Sequence, residues 1–409
     1  MAPGRTETRI SISNLAVGMY VSRLDRPWLE TPFLVEGILI DSADEIERIG
    51  RYCNYVYVDI DKGMKPARNL AGFKPPRSSK PEEAADEYKK MRKTEYREVQ
   101  HFLKEIPIAE AVYHDLSAKA QFVMRQLQAG YKFELGLLTK DIQPMLDSVL
   151  RNPSALLWVN RLKQAKSYLY HHLVGVSIWC AVFGRHLGLD RHELEDLAIA
   201  GLLIDLGKSK LPSELLETKR ELTEEEFALV QSHVDHGIRI LAQAGSLSSN
   251  VLRAVATHHE RWDGSGYPMR LKGDRVPVYG RILGLIDSYE AMTSLRPHHP
   301  GKSPHDAISE LYEYRGTLFQ PELVEHFIHA CGIFPIGSLV ELNSGEVALV
   351  IGLNSGRRLR PKVMVLLDAE KHVLPRFISI DLAQERPDLI IRQGLPPGAF
   401  GLTTSNLFL

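Results

Sequence analysis

The sequence is poor in cysteine, in long apolar runs and in net charge, and each shortage excludes a class of protein. Its three cysteines, Cys53, Cys180 and Cys331, are far apart and form no Cys-x-x-Cys pair, which argues against a disulfide scaffold or a zinc ribbon. No run of about 18 apolar residues occurs, so we expect no membrane insertion. The formal net charge of -1 gives no general attraction to a nucleic acid polymer or an anionic membrane.

What remains is a chain of ordinary globular composition. Its 409 residues are 44% hydrophobic and 25% charged, which is enough for two or three domains with a sizeable core. The N-terminal segment MAPGRTETRISIS has no apolar stretch of signal-peptide length, and we therefore expect a cytoplasmic protein. The unusual feature is histidine, because the chain has 16 and many of them lie between residues 171 and 329.

Composition divides the chain into four parts and predicts a mainly α protein. Residues 1–70 combine short β-branched and aromatic segments with one helix, which is typical of a small α+β regulatory module. Residues 71–85 are rich in Pro, Lys, Ser and Glu and are predicted to be a linker. Residues 86–331 have helical periodicity almost throughout, whereas residues 332–409 alternate strand segments with Asn-Ser-Gly turns and form a small β-rich appendage.

The spacing of apolar residues also predicts the individual elements. In the first part we expect a helix at 44–51 and strands around 19–21, 33–35 and 55–58. In the helical part we expect helices at 88–102, 118–127, 142–149, 154–164, 167–187, 193–206, from Thr223 past His233, at 278–293, and two short ones ending near 330. In the appendage we expect strands at 339–342, 347–351 and 363–367. The helices before residue 150 show no sustained heptad repeat, so the sequence does not decide whether they pack within one chain or pair two chains in a homodimer.

Two acidic residues follow apolar helix segments that should be buried. Asp205 comes directly after the run 197–204, and a helix that is apolar on all sides is buried. A carboxylate there must be paired or bound to a cation. Asp205 therefore either forms an ion pair with Lys208 or bridges metal ions beside a lysine that meets a phosphate. Asp287 stands in the same position after the apolar run 283–286.

Several histidines lie on the predicted helices around these acids. A lone histidine such as His172 or His233 is more often a satisfied core or surface residue than a ligand. His258 and His259 close a predicted helix, where both imidazoles can point off the helix end into one space. Carboxylates and imidazoles together are the ligand set of iron, manganese and zinc. A bridging acid between histidines is what a two-metal hydrolytic site needs.

A turn-rich loop follows the paired histidines directly. The stretch 258–268 reads HHERWDGSGYP, and its glycines indicate tight bends or a close approach of the backbone. Together with Asp205-x-x-Lys208 and the run DSYEAMTSLRP at 287–297, this stretch resembles the HD-GYP subfamily of HD-domain phosphohydrolases. The resemblance covers residues 165–330, and residues 10–60 resemble a module of unknown function that often precedes this domain.

The resemblance implies an all-helical HD-type domain with defined roles for its residues. Proteins of this family hydrolyse cyclic di-GMP in bacterial signalling, so the resemblance implies a phosphodiesterase with two divalent metal ions, iron or manganese, and a signalling protein as partner. The implied metal ligands are His172, Asp205, His233, His258, His259 and Asp287. The implied catalytic residues are Asp205, as the bridging ligand, and Lys208. The implied substrate contacts are Lys208, Arg261, Gly266, Tyr267, Pro268 and Arg296.

Three positions depart from the family pattern. Ile204 stands where the signature histidine is expected, and isoleucine cannot coordinate, so one metal should bind weakly or not at all. His299 stands where a basic residue usually follows Arg296, and a histidine that is neutral at pH 7 weakens one phosphate contact. Tyr168 stands at the extra ligand position of trinuclear members, so we expect two metals as the upper limit.

These residues leave alternative functions open. One is a phosphodiesterase that opens cyclic di-GMP to the linear dinucleotide or to GMP, with activity reduced by Ile204. Another is a catalytically silent cyclic di-GMP receptor or protein-interaction module, in which Ile204 abolishes turnover. A hydrolase of another nucleotide is the third, and the Gly266-Tyr267-Pro268 loop counts against it.

Overall fold

A computed structural model places the chain in two compact units, Met1–Lys80 and Pro81–Leu409. The residues that the structure describes are 7–12, 15–25, 38–40, 42–59, 94–131, 135–162, 168–216, 218, 220, 222–244, 247–294, 301–354, 357, 359–396 and 398–402. The predicted strand at 33–35 and the predicted linker at 71–85 lie outside them. The four-part division of the chain stays a prediction.

The first unit is an antiparallel sheet of four strands with one helix. Its strands are β1 (Glu7–Ser11), β2 (Tyr20–Leu24), β3 (Ile38–Leu39) and β4 (Tyr55–Asp59), in the order β1-β4-β2-β3, and its helix is α1 (Ala43–Gly50). Side chains alternate along β4, so that Val56 and Val58 are buried in the core of the unit. Tyr57 lies on the opposite face, where the guanidinium of Arg23 stands 3.9 Å from the centre of its ring.

The second unit begins with an extended segment, residues 94–100, here called the strap, and continues as a helical domain. Its helices are α2 (Phe102–Gln128), α3 (Gly136–Thr139), α4 (Ile142–Arg151), α5 (Pro153–Leu162), α6 (Tyr168–Leu187), α7 (Arg191–Leu203), α8 (Ser213–Leu216), α9 (Glu224–Gln231), α10 (His233–Ala244), α11 (Ser249–Thr257), α12 (Val278–Thr293), α13 (Pro304–Glu313) and α14 (Pro321–Cys331). A short 3-10 turn, Leu206–Lys210, follows α7. Within the described residues, no helix combines the length and apolarity needed to cross a membrane.

The core of the helical domain is formed by α6 and α7. α7 starts with a capping box between Asp190 and Glu193, and all its residues from Leu197 to Leu203 are buried, as the apolar run predicts. The two helices approach closely at Gly201, where a Cβ atom would lie 2.9 Å from the Cα atom of Ser177. Only glycine allows this spacing, and it fixes the end of α7 that precedes Asp205.

The structure corrects two of the predicted helices. The helix expected at 88–102 is wrong over the strap, because strap N–H groups bond outside it, from Thr94 to the carbonyl of Gly188 and from Val99 to the carbonyl of Arg151. The helix expected to run from Thr223 past His233 begins with the predicted capping box but ends at Gln231. A new helix, α10, then starts with His233 as its first residue.

The C-terminal part is an antiparallel sheet of five strands. They are β5 (Leu339–Leu342), β6 (Val347–Gly352), β7 (Lys362–Leu367), β8 (Val373–Asp381) and β9 (Ile391–Leu395), in the order β8-β7-β6-β5-β9. The central strand β6 is buried along its whole length. Arg360 donates to the carbonyls of Pro387 and Leu389, and Arg357 donates to that of Ala383, so these two arginines hold the segment before β9.

Candidate metal centre

Two helices and the ends of three others bring the predicted ligands into one buried space. His172 is on α6, Asp205 follows α7, His233 opens α10, His258 and His259 follow α11, and Asp287 is on α12. Five of these side chains are almost inaccessible to solvent, and only His259 is partly exposed. Helix ends suit this task because they aim side chains from separate elements at a common point without interrupting the helices.

One group of predicted ligands consists of Asp205, His233, His258 and His259. One ligand atom from each lies within 4.8 Å of those of the others. Nε2 of His233 is 3.4 Å from Oδ1 of Asp205 and 3.4 Å from Nε2 of His258. Four donors this close match the nitrogen and oxygen set that iron, manganese or zinc prefers.

The backbone fixes which nitrogen of two histidines can bind a cation. Nδ1 of His233 donates to the carbonyl of Val230, and Nδ1 of His258 donates to the carbonyl of Val255, each at 2.7 Å. With the proton on Nδ1, each Nε2 presents its lone pair, and the two lone pairs face each other. Two buried acceptors beside a carboxylate need a cation between them, so these residues fit a divalent metal.

His172 forms the other group, with carboxylates on both sides of its ring. Nδ1 contacts Glu290, while Nε2 lies 2.9 Å from Oδ1 of Asp287 and 3.6 Å from Oδ2 of Asp205. Burial acts to lower the pKa of His172, but the charges and hydrogen bonds of Glu290 and Asp287 outweigh it and raise the pKa to about 10. An imidazolium and a divalent metal are two ways to balance the same carboxylates.

Asp205 is the residue that both groups share. Its Oδ1 faces His233, and its Oδ2 faces His172 and accepts a hydrogen bond from Nζ of Lys208 at 2.5 Å. Burial would raise the pKa of Asp205, but Lys208 and the surrounding histidines hold it well below its usual range. The ion pair with Lys208 is therefore present, and Asp205 also stands between the two sets of predicted ligands, so that the bridging role stays a prediction.

Electrostatics keeps the histidines of the first group neutral. Burial, with the charge of His233, lowers the pKa of His258 to about 4, and burial also lowers the pKa of His233 and of His259. A neutral imidazole offers a lone pair to a metal, whereas an imidazolium does not. These three side chains are therefore in the protonation state that metal binding requires at neutral pH.

The glycine-rich loop lies directly against the ligands. The ring of Tyr267 stacks on that of His259, with centroids 4.6 Å apart. A Cβ atom at Gly266 would lie 2.4 Å from the backbone N of Arg261 and 2.4 Å from the carbonyl O of His259. Glycine is required there because the chain folds back onto its own backbone, and this brings the tyrosine over the histidine.

Two further residues of the stretch support the loop from within. Glu260 is buried, and its two carboxylate oxygens accept from the N–H groups of Met269 at 2.7 Å and Leu271 at 2.8 Å. Arg261 donates to the carbonyls of His258 and Glu260, each at 3.1 Å. The structure thus places Arg261, expected to contact substrate, in bonds to the backbone behind the loop.

Comparisons with known proteins agree with this geometry. A profile of the HD domain matches residues 151–323, a domain of unknown function (DUF3391) matches 7–136, and a KOW domain associated with HD domain matches 339–394. The chain is 31% identical over 386 residues to cyclic di-GMP phosphodiesterase PA4108 of Pseudomonas aeruginosa, which covers 92% of this chain and 89% of that protein.

This chain belongs to the HD-GYP family.

Other relatives match a shorter part of this HD-GYP chain. A cyclic di-GMP phosphodiesterase of Thermotoga maritima is 38% identical over 172 residues, which cover 42% of this chain and 47% of that protein. The 3'3'-cGAMP-specific phosphodiesterase 2 of Vibrio cholerae is 33% identical over 205 residues, which cover 49% of this chain and 39% of that protein. Relatives of this HD-GYP protein therefore carry the names of two different cyclic dinucleotides.

Some of the residues expected in the HD-GYP site cannot be placed. Arg296 and His299 lie outside the described residues, as does the side chain of Tyr168. Glu290 and Glu260 were not singled out from the sequence, although Glu290 carried a signal. Glu290 lies three residues after Asp287, on the same face of α12, and a second acid at that spacing beside a buried acid indicates a shared partner.

The loop of this HD-GYP protein should depend on Glu260. We expect Glu260→Gln to weaken the loop by about 2 kcal/mol, because the amide NH2 cannot accept from a backbone N–H and leaves that group unpaired. Hydrogen exchange of residues 264–272 should accelerate about 30-fold, with bound metal unchanged. The exposed Glu370 in the turn between β7 and β8 provides the control, and Glu370→Gln should leave this exchange as it is. Equal exchange in the two variants would show that Glu260 does not hold the loop.

Proposed function

We propose that this protein is a metal-dependent phosphodiesterase that hydrolyses cyclic di-GMP to the linear dinucleotide or to GMP. The observation that carries the proposal is the position of Asp205, whose two oxygens face His233 on one side and His172 on the other. The names of the relatives support the substrate. We also propose that the protein acts in the cytoplasm and that the cofactors are two divalent cations, with iron or manganese favoured by the mixed nitrogen and oxygen ligands.

The side chains divide the work of such a site. His233, His258, His259 and Asp205 would hold one cation, and His172, Asp205 and Asp287 would hold the other. When bound, divalent cations in such a site supply Lewis acidity and lower the pKa of water. Lys208 would meet the scissile phosphate, since its ammonium lies beside Asp205 and is partly open to solvent. A positive charge fixed at that place stabilises the negative charge that develops on phosphate oxygens.

The loop would hold and shield the dinucleotide. The ring of Tyr267 covers that of His259. It also packs edge to face with the ring of Phe227, a residue that is 49% exposed. Flat apolar rings next to the ligands are suited to stacking on a base. Gly266 and Pro268 would fix the path of the loop, and Arg296, which lies outside the described residues, would contact a phosphate.

Ile204 is the residue that sets how active the enzyme is. It is buried at the end of α7, directly before Asp205, and offers no donor atom. The His172 group then has one nitrogen among its ligands, so we propose that its cation binds weakly and that hydrolysis is slow. The same observation favours a second candidate function, a receptor that binds cyclic di-GMP without turnover.

The deciding experiment restores the missing ligand. We expect Ile204→His to raise the bound metal from about one to about two ions per chain and to raise turnover at least about tenfold. Metal content is measured by plasma emission after loading with Mn²⁺ or Fe²⁺, and turnover by chromatography of cyclic di-GMP and, in parallel, 3'3'-cGAMP. Ile204→Val, which keeps an apolar side chain without a donor, should leave both values at the wild-type level.

Four other outcomes would change the proposal. Two metals and brisk turnover in the wild type would contradict the role given to Ile204. Tight binding of cyclic di-GMP without turnover in the wild type and in Ile204→His would favour the receptor. Failure of both forms to bind metal or dinucleotide would remove the basis of the enzyme and of the receptor. A preference for 3'3'-cGAMP would keep the chemistry and change the substrate.

A further inference from the structure

A large cleft lies in the second unit at a distance from the metal centre. It has a volume of about 590 Å³ and is bordered by the strap, the start of α5, the end of α6, the end of α14, the segment just after β6 and the start of β7. Such a volume is typical of sites for small molecules. Arg185, on its wall, is 13 residues after His172 on α6, which corresponds to about 20 Å along the helix.

The side chain of Arg185 has buried hydrogen-bond donors that a ligand could pair. Its Nε and Nη2 atoms are inaccessible to solvent and have no hydrogen-bond partner among the described residues. The guanidinium carbon stands 5.8 Å from the ring centre of Tyr96 in the strap. Leaving such donors unpaired is costly. Burial lowers the pKa of Arg185, and the charge of Glu98 on the strap opposes this shift without reversing it. A planar guanidinium on the wall of a cleft matches the oxygens of a phosphate, which it can bind through two parallel hydrogen bonds.

The rest of the wall adds positive charge and apolar surface. Lys362 on β7 supplies the positive charge, and the imidazoles of His186 on α6 and His329 on α14 also border the cleft. Leu157 and Leu353 contribute apolar side chains to the wall. Two glutamates, at 95 and 98, are exposed on the strap, and one of them already faces a cation, since Oε1 of Glu95 is 3.9 Å from Nη2 of Arg97. The fixed positive charges available to a ligand are those of Arg185 and Lys362, and Glu98 of the strap acts on Arg185 through its negative charge.

We infer that this cleft binds a small molecule that carries a phosphate group on an apolar body. The phosphate contacts Arg185, with Lys362 as a second cation, and the apolar body lies between the leucines. The ligand joins the strap and the helical domain to the C-terminal sheet, so its binding stabilises these segments against local opening. The inference does not depend on the proposed function, because it requires neither metal nor hydrolysis at Asp205.

The test uses the full chain in its metal-loaded form. Two probes are added separately, inorganic phosphate and phenylphosphonate, and hydrogen exchange is followed by mass spectrometry as each is titrated. We expect slower exchange in residues 94–100 and 329–336 with both probes. Phenylphosphonate should bind about tenfold more tightly than phosphate, because its ring buries apolar surface.

Three variants of equal charge change locate the site. Arg185→Gln should raise the dissociation constant for both probes by about 10- to 100-fold, as expected for the loss of charge-assisted hydrogen bonds. Lys362→Gln, at an exposed position, should raise the dissociation constant severalfold, and it tests the site if Arg185→Gln folds poorly. Arg376→Gln, on β8 and outside the cleft, should bind like the wild type. The inference is wrong if neither probe protects the two segments or if Arg185→Gln and Lys362→Gln bind as tightly as the wild type.

Discussion

Replacing Asp205 with asparagine should release bound metal and reduce the hydrolysis of cyclic di-GMP at least about a thousandfold, or about 4 kcal/mol in the activation free energy. The carboxylate is buried and offers one oxygen to each set of ligands. An amide has one weak acceptor oxygen in place of two anionic ones, so it cannot bridge. Lys208 and a protonated His172 would also lose a counter-charge, which should lower the free energy of unfolding by about 3 kcal/mol.

Metal analysis separates this result from a general loss of structure. Asp205→Asn should keep the helical circular dichroism of the wild type while its metal content falls. Asp388→Asn changes an exposed acid that pairs with Arg386 in the loop between β8 and β9, and it should keep both metal and activity. Retention of metal and of hydrolysis in Asp205→Asn would show that Asp205 is only the ion-pair partner of Lys208, which the sequence left as the alternative.

The strands that could be predicted from the sequence are the interior ones. Apolar and aromatic runs predicted β2, β4, β5, β6 and β7, whereas β1, β3, β8 and β9 were not predicted. These four are the edge strands of the two sheets among the described residues. An edge strand buries little surface, so its pattern is weak, and β8 even contains Pro375, which an edge tolerates because one side needs no ladder bonds.

The strap shows a second limit of sequence patterns. The segment 88–102 has apolar residues at helical spacing, but the N–H group of Thr94 bonds to the carbonyl of Gly188, just after α6, and that of Val99 to the carbonyl of Arg151, at the end of α4. Tyr96 adds a bond from its hydroxyl to the carbonyl of Leu189 at 2.8 Å. Each partner is far along the chain, and such tertiary contacts override a local propensity that is worth only a few tenths of a kcal/mol per residue.

The candidate site was more accessible to prediction than the loops around it. Asp205 and Asp287 stood out because a charge after a buried apolar run must have a partner. Glu260 did not stand out, since nothing in the local pattern shows that its carboxylate accepts hydrogen bonds from backbone N–H groups nine and eleven residues later. Residues whose role is set by buried charge can thus be found from sequence, and residues whose role is set by a loop's path cannot.

The close contact between Gly207 and Gly237 should determine whether His233 stays near Asp205. A Cβ atom at Gly207 would lie 1.8 Å from the carbonyl O of His233, on the backbone of a predicted ligand. We expect Gly207→Ala to push α10 away from the 3-10 turn that follows Asp205. The free energy of unfolding should fall by about 3 kcal/mol, as for severe overpacking, and bound metal should be lost because His233 moves from Asp205.

Gly237 provides a matched control on the other side of the same contact. A Cβ atom there would have Gly207 N as its nearest neighbour at 3.6 Å, an ordinary contact. Gly237→Ala should therefore keep the metal and raise the free energy of unfolding by about 0.5–1 kcal/mol, because alanine loses less backbone entropy in a helix. Urea unfolding and metal analysis of both variants measure the difference. Equal stability of the two would mean that the turn and α10 are not packed as closely as the structure has them, and the approach of His233 to Asp205 would have to be revised.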